Sequence, residues 1–168
     1  MEEKIILVDE NDNKIGTEEK IKAHRNGGKL HRAISVLVFN PKEEMLLQRR
    51  AKIKYHCPGL WSNTCCSHPR PGEKTIDAAH RRLKEEMGFD CHLKKVFDFI
   101  YKVDFDNGLF EWEFDHFFIG EFGGQPNPDP KEVEEYKWVS RKELKRDIKK
   151  NPQDYTYWFK LALKKFEK

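Results

Sequence analysis

The run from Leu109 to Ile119 alternates Phe110, Trp112 and Phe114 with Glu111, Glu113 and Asp115. Alternate residues of a strand share a face and lie about 6.5 Å apart, so three carboxylates crowd one side. Such a face is either a wet acidic surface or a place for a cation or a raised carboxyl pKa, because neighbouring negative charges repel. Imidazoles that could complete a cation site stand elsewhere. His24 and His31 flank a Gly27-Gly28 loop, and His68 follows Cys66-Ser67. Imidazole with carboxylate suits Zn, Fe or Mn, and the spacing is unlike that of a Cys-rich structural zinc site. Cys57, Cys65 and Cys66 lack a C-x2-C pair, and His56, next to Cys57, reads as a decoy.

A second grouping is basic. Arg49, Arg50, Lys52 and Lys54 follow one another closely. They read either as a solvated strand end or, beside Lys20 and Arg82, as a clamp for phosphate, whose oxygens the planar guanidinium fork matches.

The elements that must position these groups can be read from pattern. Lys4 to Val8 and Lys14 to Thr17 are expected as strands around turn residues, Glu18 to His24 as a short helix, and Arg25 to Lys29 as a loop. Ala33 to Phe39 and Met45 to Arg50 read as strands. The stretch from Ala51 to about Gly72, with Pro58, Gly59, Pro69 and Pro71, reads as irregular, and loops that long usually carry function. Thr75 to Met87 is the clearest helix, its face formed by Ile76, Ala79, His80, Leu83 and Met87. Glu85 lies opposite that face, Arg82 and Glu86 share a flank, and Gly88 stops the helix. Strands are expected at His92 to Phe97, Phe99 to Phe105 (before the turn Asp106-Asn107-Gly108), Leu109 to Ile119 and Glu135 to Val139. Helices follow at Lys142 to Lys150 and Asp154 to Phe166. The pattern is α+β, with helices packed on a mixed sheet.

The chain has 168 residues, the size of one domain, and we expect a single domain over residues 1–168. With 32 Lys and Arg against 29 Asp and Glu, it lacks the concentrated basic excess of nucleic-acid binders. The N-terminal aliphatic run Ile5 to Val8 is too short and follows acids, unlike a signal peptide, and no span approaches the ~20 apolar residues of a membrane helix. A cytoplasmic protein is expected, its four cysteines acting as thiols, ligands or catalysts. The oligomeric state is left open.

Several of these residues resemble a known pattern. Glu73, Arg81, Leu83, Glu85, Glu86, Gly88 and Phe89 fall in register with the Nudix box, while Ser67 replaces its first Gly and Arg82 the Glu that hydrolytic members use for Mg²⁺. The run Pro58 to Pro69, with Cys66-Ser67-His68, and the strand Glu111-Trp112-Glu113 resemble the two signatures of type I isopentenyl-diphosphate isomerases. The resemblance runs from about Ile5 to Trp158. It implies a Nudix-type mixed β-sheet sandwiched between helices, and a small allylic or homoallylic diphosphate as substrate. By position it implies a metal site of His24, His31, His68, Glu111 and Glu113, taking Mn²⁺, Mg²⁺ or Zn²⁺. It implies Mg²⁺ held by Glu86 against the substrate diphosphate, contacts to that diphosphate from Lys20, Arg50, Lys54 and Arg82, and acid–base roles for Cys66, Glu113 and Tyr101. Trp158 matches an aromatic over the hydrocarbon; otherwise it is a packing residue of the last helix, as Tyr101 is otherwise an ordinary strand residue. Competing readings are a Nudix pyrophosphohydrolase and a non-catalytic metal- or phosphate-binding module.

Overall fold

A computed structural model describes residues 2–167. Its strands are β1 (Lys4–Val8), β2 (Lys14–Glu19), β3 (His31–Phe39), β4 (Met45–Arg50), β5 (Trp61–Ser62), β6 (Cys65–Ser67), β7 (Leu93–Phe105), β8 (Leu109–Glu121) and β9 (Val133–Val139). Its α-helices are α1 (Lys20–Ala23), α2 (Thr75–Met87), α3 (Arg141–Lys150) and α4 (Tyr157–Phe166). β3 is the hub, bonded to β1, β4 and β6 antiparallel and to β8 in parallel, so the sheet is mixed.

Each side of the sheet buries its own core. Ile34, Val36, Val38, Leu46 and Cys65 pack with Ala78, Ala79, Leu83 and Met87 of α2. Leu37, Met45, Leu47, Phe117 and Tyr101 pack with Leu144 of α3 and Trp158, Phe159 and Ala162 of α4. Period-two alternation on β3 is what sends successive residues to opposite cores. Among the described residues, no helix is long and apolar enough to cross a membrane.

α2 ends as its sequence predicts: Gly88 takes φ 74°, and a Cβ there would stand 2.1 Å from the Asn127 carbonyl oxygen. His80 departs from the expected apolar face and pairs with Asp90 at 2.6 Å. The helix expected over 18–24 is also corrected. Glu18 and Glu19 pair with Ile5 and Lys4 as the end of β2, leaving four helical residues. Sheet pairing here overrides a helix-compatible local sequence. Two more strands, β5 and β6, lie inside the stretch expected to be irregular. The two strands expected between 92 and 105 are one, irregular between Lys95 and Phe97. The last helix starts at Tyr157, after a 3-10 turn over Pro152–Asp154.

Candidate active site

Register builds the site. His31 on β3 faces Glu113 on β8, which faces Tyr101 on β7, so three neighbouring strands line up these groups. The acidic side of β8 is not wet. Glu111, Glu113 and Asp115 are buried at 2%, 7% and 1% exposure, while Trp112 and Phe114 pack only partly against Ile6, Val8 and Leu30. Burying three carboxylates demands partners or protons.

Glu113 finds imidazoles. Its Oε1 is 3.0 Å from His68 Nε2 and 3.4 Å from His31 Nε2. His24 arrives through the loop that follows α1, where Gly28 has φ 74° and a Cβ would press on Phe110 Cβ at 3.0 Å. Donor atoms of His24, His31, His68 and Glu113 all lie within 4.8 Å of one another. His24 Nδ1 lies 2.6 Å from the Lys20 carbonyl oxygen and His31 Nδ1 2.7 Å from that of Lys29. A ring nitrogen meeting a carbonyl must carry the proton, which leaves both Nε2 atoms as bare lone pairs. His24 Nε2 and His68 Nδ1 are buried without a partner, and His31 and His68 Nε2 stand 3.2 Å apart. Lone pairs converging on a carboxylate repel unless a cation sits among them, so these residues fit a divalent metal ion. Burial and neighbouring charge depress the imidazoles, His24 to about 4 and His68 to about 3. Burial alone would raise Glu113, but the His31 and His68 rings beside it hold it well below the usual carboxylate range.

Glu111 stands outside this group of four. Tyr101 Oη lies 2.8 Å from its Oε2 and 2.7 Å from Glu113 Oε2. Its other oxygen is 2.5 Å from Nε2 of His56. His56, read from sequence as a decoy, is therefore inside the site. No spacing signal could have found it, because its loop has no periodicity and its partner lies 55 positions away.

Cys66 sits next to Ser35 across the β3–β6 ladder. Its thiol donates to Asn63 Oδ1 at 3.0 Å and receives the Trp158 indole N–H at 3.2 Å. Asn63 is itself fixed, donating to the carbonyls of Val36 and Cys65. Burial and the nearby Asp115 and Glu86 carboxyls push the Cys66 thiol up to about 12. Asp115, raised by burial and by Glu113, accepts from Ser35 at 2.7 Å and leaves Oδ1 unpartnered. Asn63 and Ser35 were not singled out from sequence, and Asp115 was read only as one of three carboxylates sharing a strand face.

Cys66, Glu113, Tyr101 and Trp158 line one cavity, which Lys20, Arg50, Lys54, Tyr55, His56, His68, Glu111 and Arg82 also border. The cations are paired: Lys20 with Glu3 at 2.9 Å, Lys54 with Glu132, and Arg82 with Glu85, Glu86 and Glu132. Arg50 holds the His56 carbonyl at 3.2 Å and lies over the Trp158 ring. Glu86 is not among the lining residues and is taken up by Arg82 and Gln48.

The NUDIX domain family matches residues 29–159. A protein of Aromatoleum aromaticum named Isopentenyl-diphosphate Delta-isomerase 2 is 54% identical over 163 residues, 97% of this chain and 86% of that one. The chain belongs to the isopentenyl-diphosphate Delta-isomerase family of NUDIX proteins. Another relative of that name, from Photorhabdus laumondii, is 52% identical over 95% of this chain and 90% of its own. A solved structure from Deinococcus radiodurans shares the NUDIX fold of this family member, with TM-score 0.72 over 87% of this chain and 88% of that one at 18% identity. A MutT protein from Methanosarcina mazei does so with TM-score 0.67 over 82% and 93% at 19% identity. At such identities the likeness is one of fold.

Proposed function

We propose that this protein interconverts isopentenyl diphosphate and dimethylallyl diphosphate, moving a double bond by adding a proton at one carbon and removing one from another. The observation that carries this reading is a single cavity bordered by a thiol, a carboxylate, an aromatic face and four cations. Cys66 and Glu113 are the proton-exchanging pair, and they differ by one proton, the inventory that addition at one carbon and removal from another requires. Tyr101 orients the Glu113 carboxyl. Protonating an alkene creates a tertiary carbocation, which must be kept from water and given negative charge density. Trp158, anchored by its N–H on Ser62 and Cys66, offers a ring face for that purpose.

Lys20, Arg50, Lys54 and Arg82 take the diphosphate. The cavity as it stands is about 50 Å³, room for a few waters. Substrate must therefore displace carboxylates, and those paired with these cations are Glu3, Glu132, Glu85 and Glu86. His24, His31, His68 and Glu113 would hold Mn²⁺, Mg²⁺ or Zn²⁺, with Glu111 beside them, and Glu86 would help hold Mg²⁺ on the diphosphate. A divalent cation supplies fixed positive charge that tunes the Glu113 carboxyl and neutralises phosphate oxygens. The four free thiols suit a reducing, cytoplasmic setting. NMR of isopentenyl diphosphate with the protein and Mg²⁺ in D₂O should give dimethylallyl diphosphate carrying deuterium. Hydrolysis of a nucleoside diphosphate without isomerisation would overturn this reading in favour of a hydrolase.

A further inference from the structure

We propose that His56 is a positioning residue that grips Glu111 and, through Tyr101, fixes the oxygen of Glu113 nearest the phenol. The inference rests on the isomerase reading and deepens it. Tyr101 has one hydroxyl hydrogen, yet two carboxylate oxygens stand within hydrogen-bond reach, 2.8 Å away on Glu111 and 2.7 Å away on Glu113. Which of the two receives that hydrogen depends on what else satisfies Glu111. His56 Nε2 lies 2.5 Å from the other Glu111 oxygen, a separation at which the nitrogen must carry hydrogen, since two acceptors that close would repel. An N–H donor there draws Glu111 charge away from the phenol and leaves the hydroxyl hydrogen to Glu113. One Glu113 oxygen then receives the Tyr101 hydroxyl, and the other stays turned towards His31 and His68.

His56 is itself built into place. Its carbonyl accepts from Arg50 at 3.2 Å, and its ring packs 4.3 Å from that of Tyr55 and 5.8 Å from that of Trp158. The chain turns at once at Cys57, where φ is 47°, a conformation L residues adopt only when the surroundings enforce it.

The test compares His56→Gln with His56→Asn. A glutamine amide nitrogen reaches the place of Nε2, whereas an asparagine amide stops near Nδ1. His56→Asn should lower kcat at least about tenfold, the low end for groups that orient a metal-site ligand, with KM and metal content unchanged. His56→Gln should recover to within about threefold of wild type. Equal losses in both variants, a rise in KM without a fall in kcat, or loss of metal from His56→Asn would overturn the proposal. A readout independent of turnover is the imidazole N–H proton spectrum. Wild type should show a low-field signal that Glu111→Gln shifts and His56→Asn removes, and indifference of that signal to Glu111→Gln would also overturn it. If wild type fails to isomerise, the isomerase reading falls while the proton spectrum still decides whether His56 grips Glu111.

Discussion

Cys65 and Cys66 adjoin in sequence and live in different chemical worlds. Cys65 is sealed among Ile34, Val36, Leu83 and Met87 under α2, and burial raises its thiol well above the ordinary value. Cys66 faces Ser35, Asn63 and Trp158 on the α4 side, at the polar end of a core that is otherwise Leu37, Phe117 and Phe159. One step along a pleated strand crosses from a dry core to a polar cavity. The contrast teaches that the helix carrying the Nudix box packs one core and contributes Arg82 to the cavity, while the strands' opposite face gathers the thiol, carboxylates and indole proposed for the chemistry.

The sharpest way to break that contrast is Cys66→Ser. A serine hydroxyl is a far poorer proton exchanger than a thiol, so isomerisation should fall at least about a hundredfold, the low end for acid–base catalysis. Metal content and the melting profile should stay those of wild type. An active Cys66→Ser enzyme would remove the thiol from the mechanism.

The α2 side was open to sequence reading because its signal is periodic: Ile76, Ala79, Leu83 and Met87 repeat every three or four residues, and all contribute to the α2-side core. The alternation of β8 was equally plain, but not which side was buried, since an acidic face ordinarily turns to water. Deciding that needed the ladder that sets His31 opposite Glu113. β5 and β6, of two and three residues, are too short to show alternation, and their existence depends on β4 and β3. His56 was misread for the same reason, its partner Glu111 being supplied by tertiary structure alone.

The basic residues extend the comparison to the rim. Arg50 is buried at 6% exposure and borders the cavity, whereas the Lys52 side chain is 77% exposed and pairs with Glu134. Removing a buried charged partner of a diphosphate should cost on the order of 2–5 kcal/mol of binding. Titration calorimetry with substrate should find that loss for Arg50→Ala and almost none for Lys52→Ala. Equal small effects would reduce the cluster to solvated surface.

Acid should separate the proposed metal cluster of His24, His31, His68 and Glu113 from ordinary histidines. Free imidazoles near pKa 6.5 lose metal below about pH 6. With His24 depressed to about 4 and His68 to about 3, proton competition is delayed, so bound metal should persist at pH 5 and be released as pH falls towards 4. The sign for stability follows: between pH 6.5 and those values the unfolded chain takes up protons that the native one does not. The native state therefore loses stability as pH falls through that window. Metal analysis after dialysis across pH 4–7 checks the first expectation, and release already complete at pH 6 would contradict it.

The smallest effect should come from Cys65→Ser. The side chain is fully buried, and an unpartnered hydroxyl in an apolar core costs about 1–3 kcal/mol. The Glu86 carboxyl helps raise the Cys65 thiol, but its oxygens accept from Arg82 and Gln48, so the loss should fall within that range. Chemical denaturation reads that loss directly. Turnover per folded molecule should stay within about threefold of wild type, because no proton crosses from Cys65 to the cavity on the other side of the sheet. A collapse of kcat in Cys65→Ser with stability intact would mean that the thiol under α2, rather than the one beside Trp158, carries the proton.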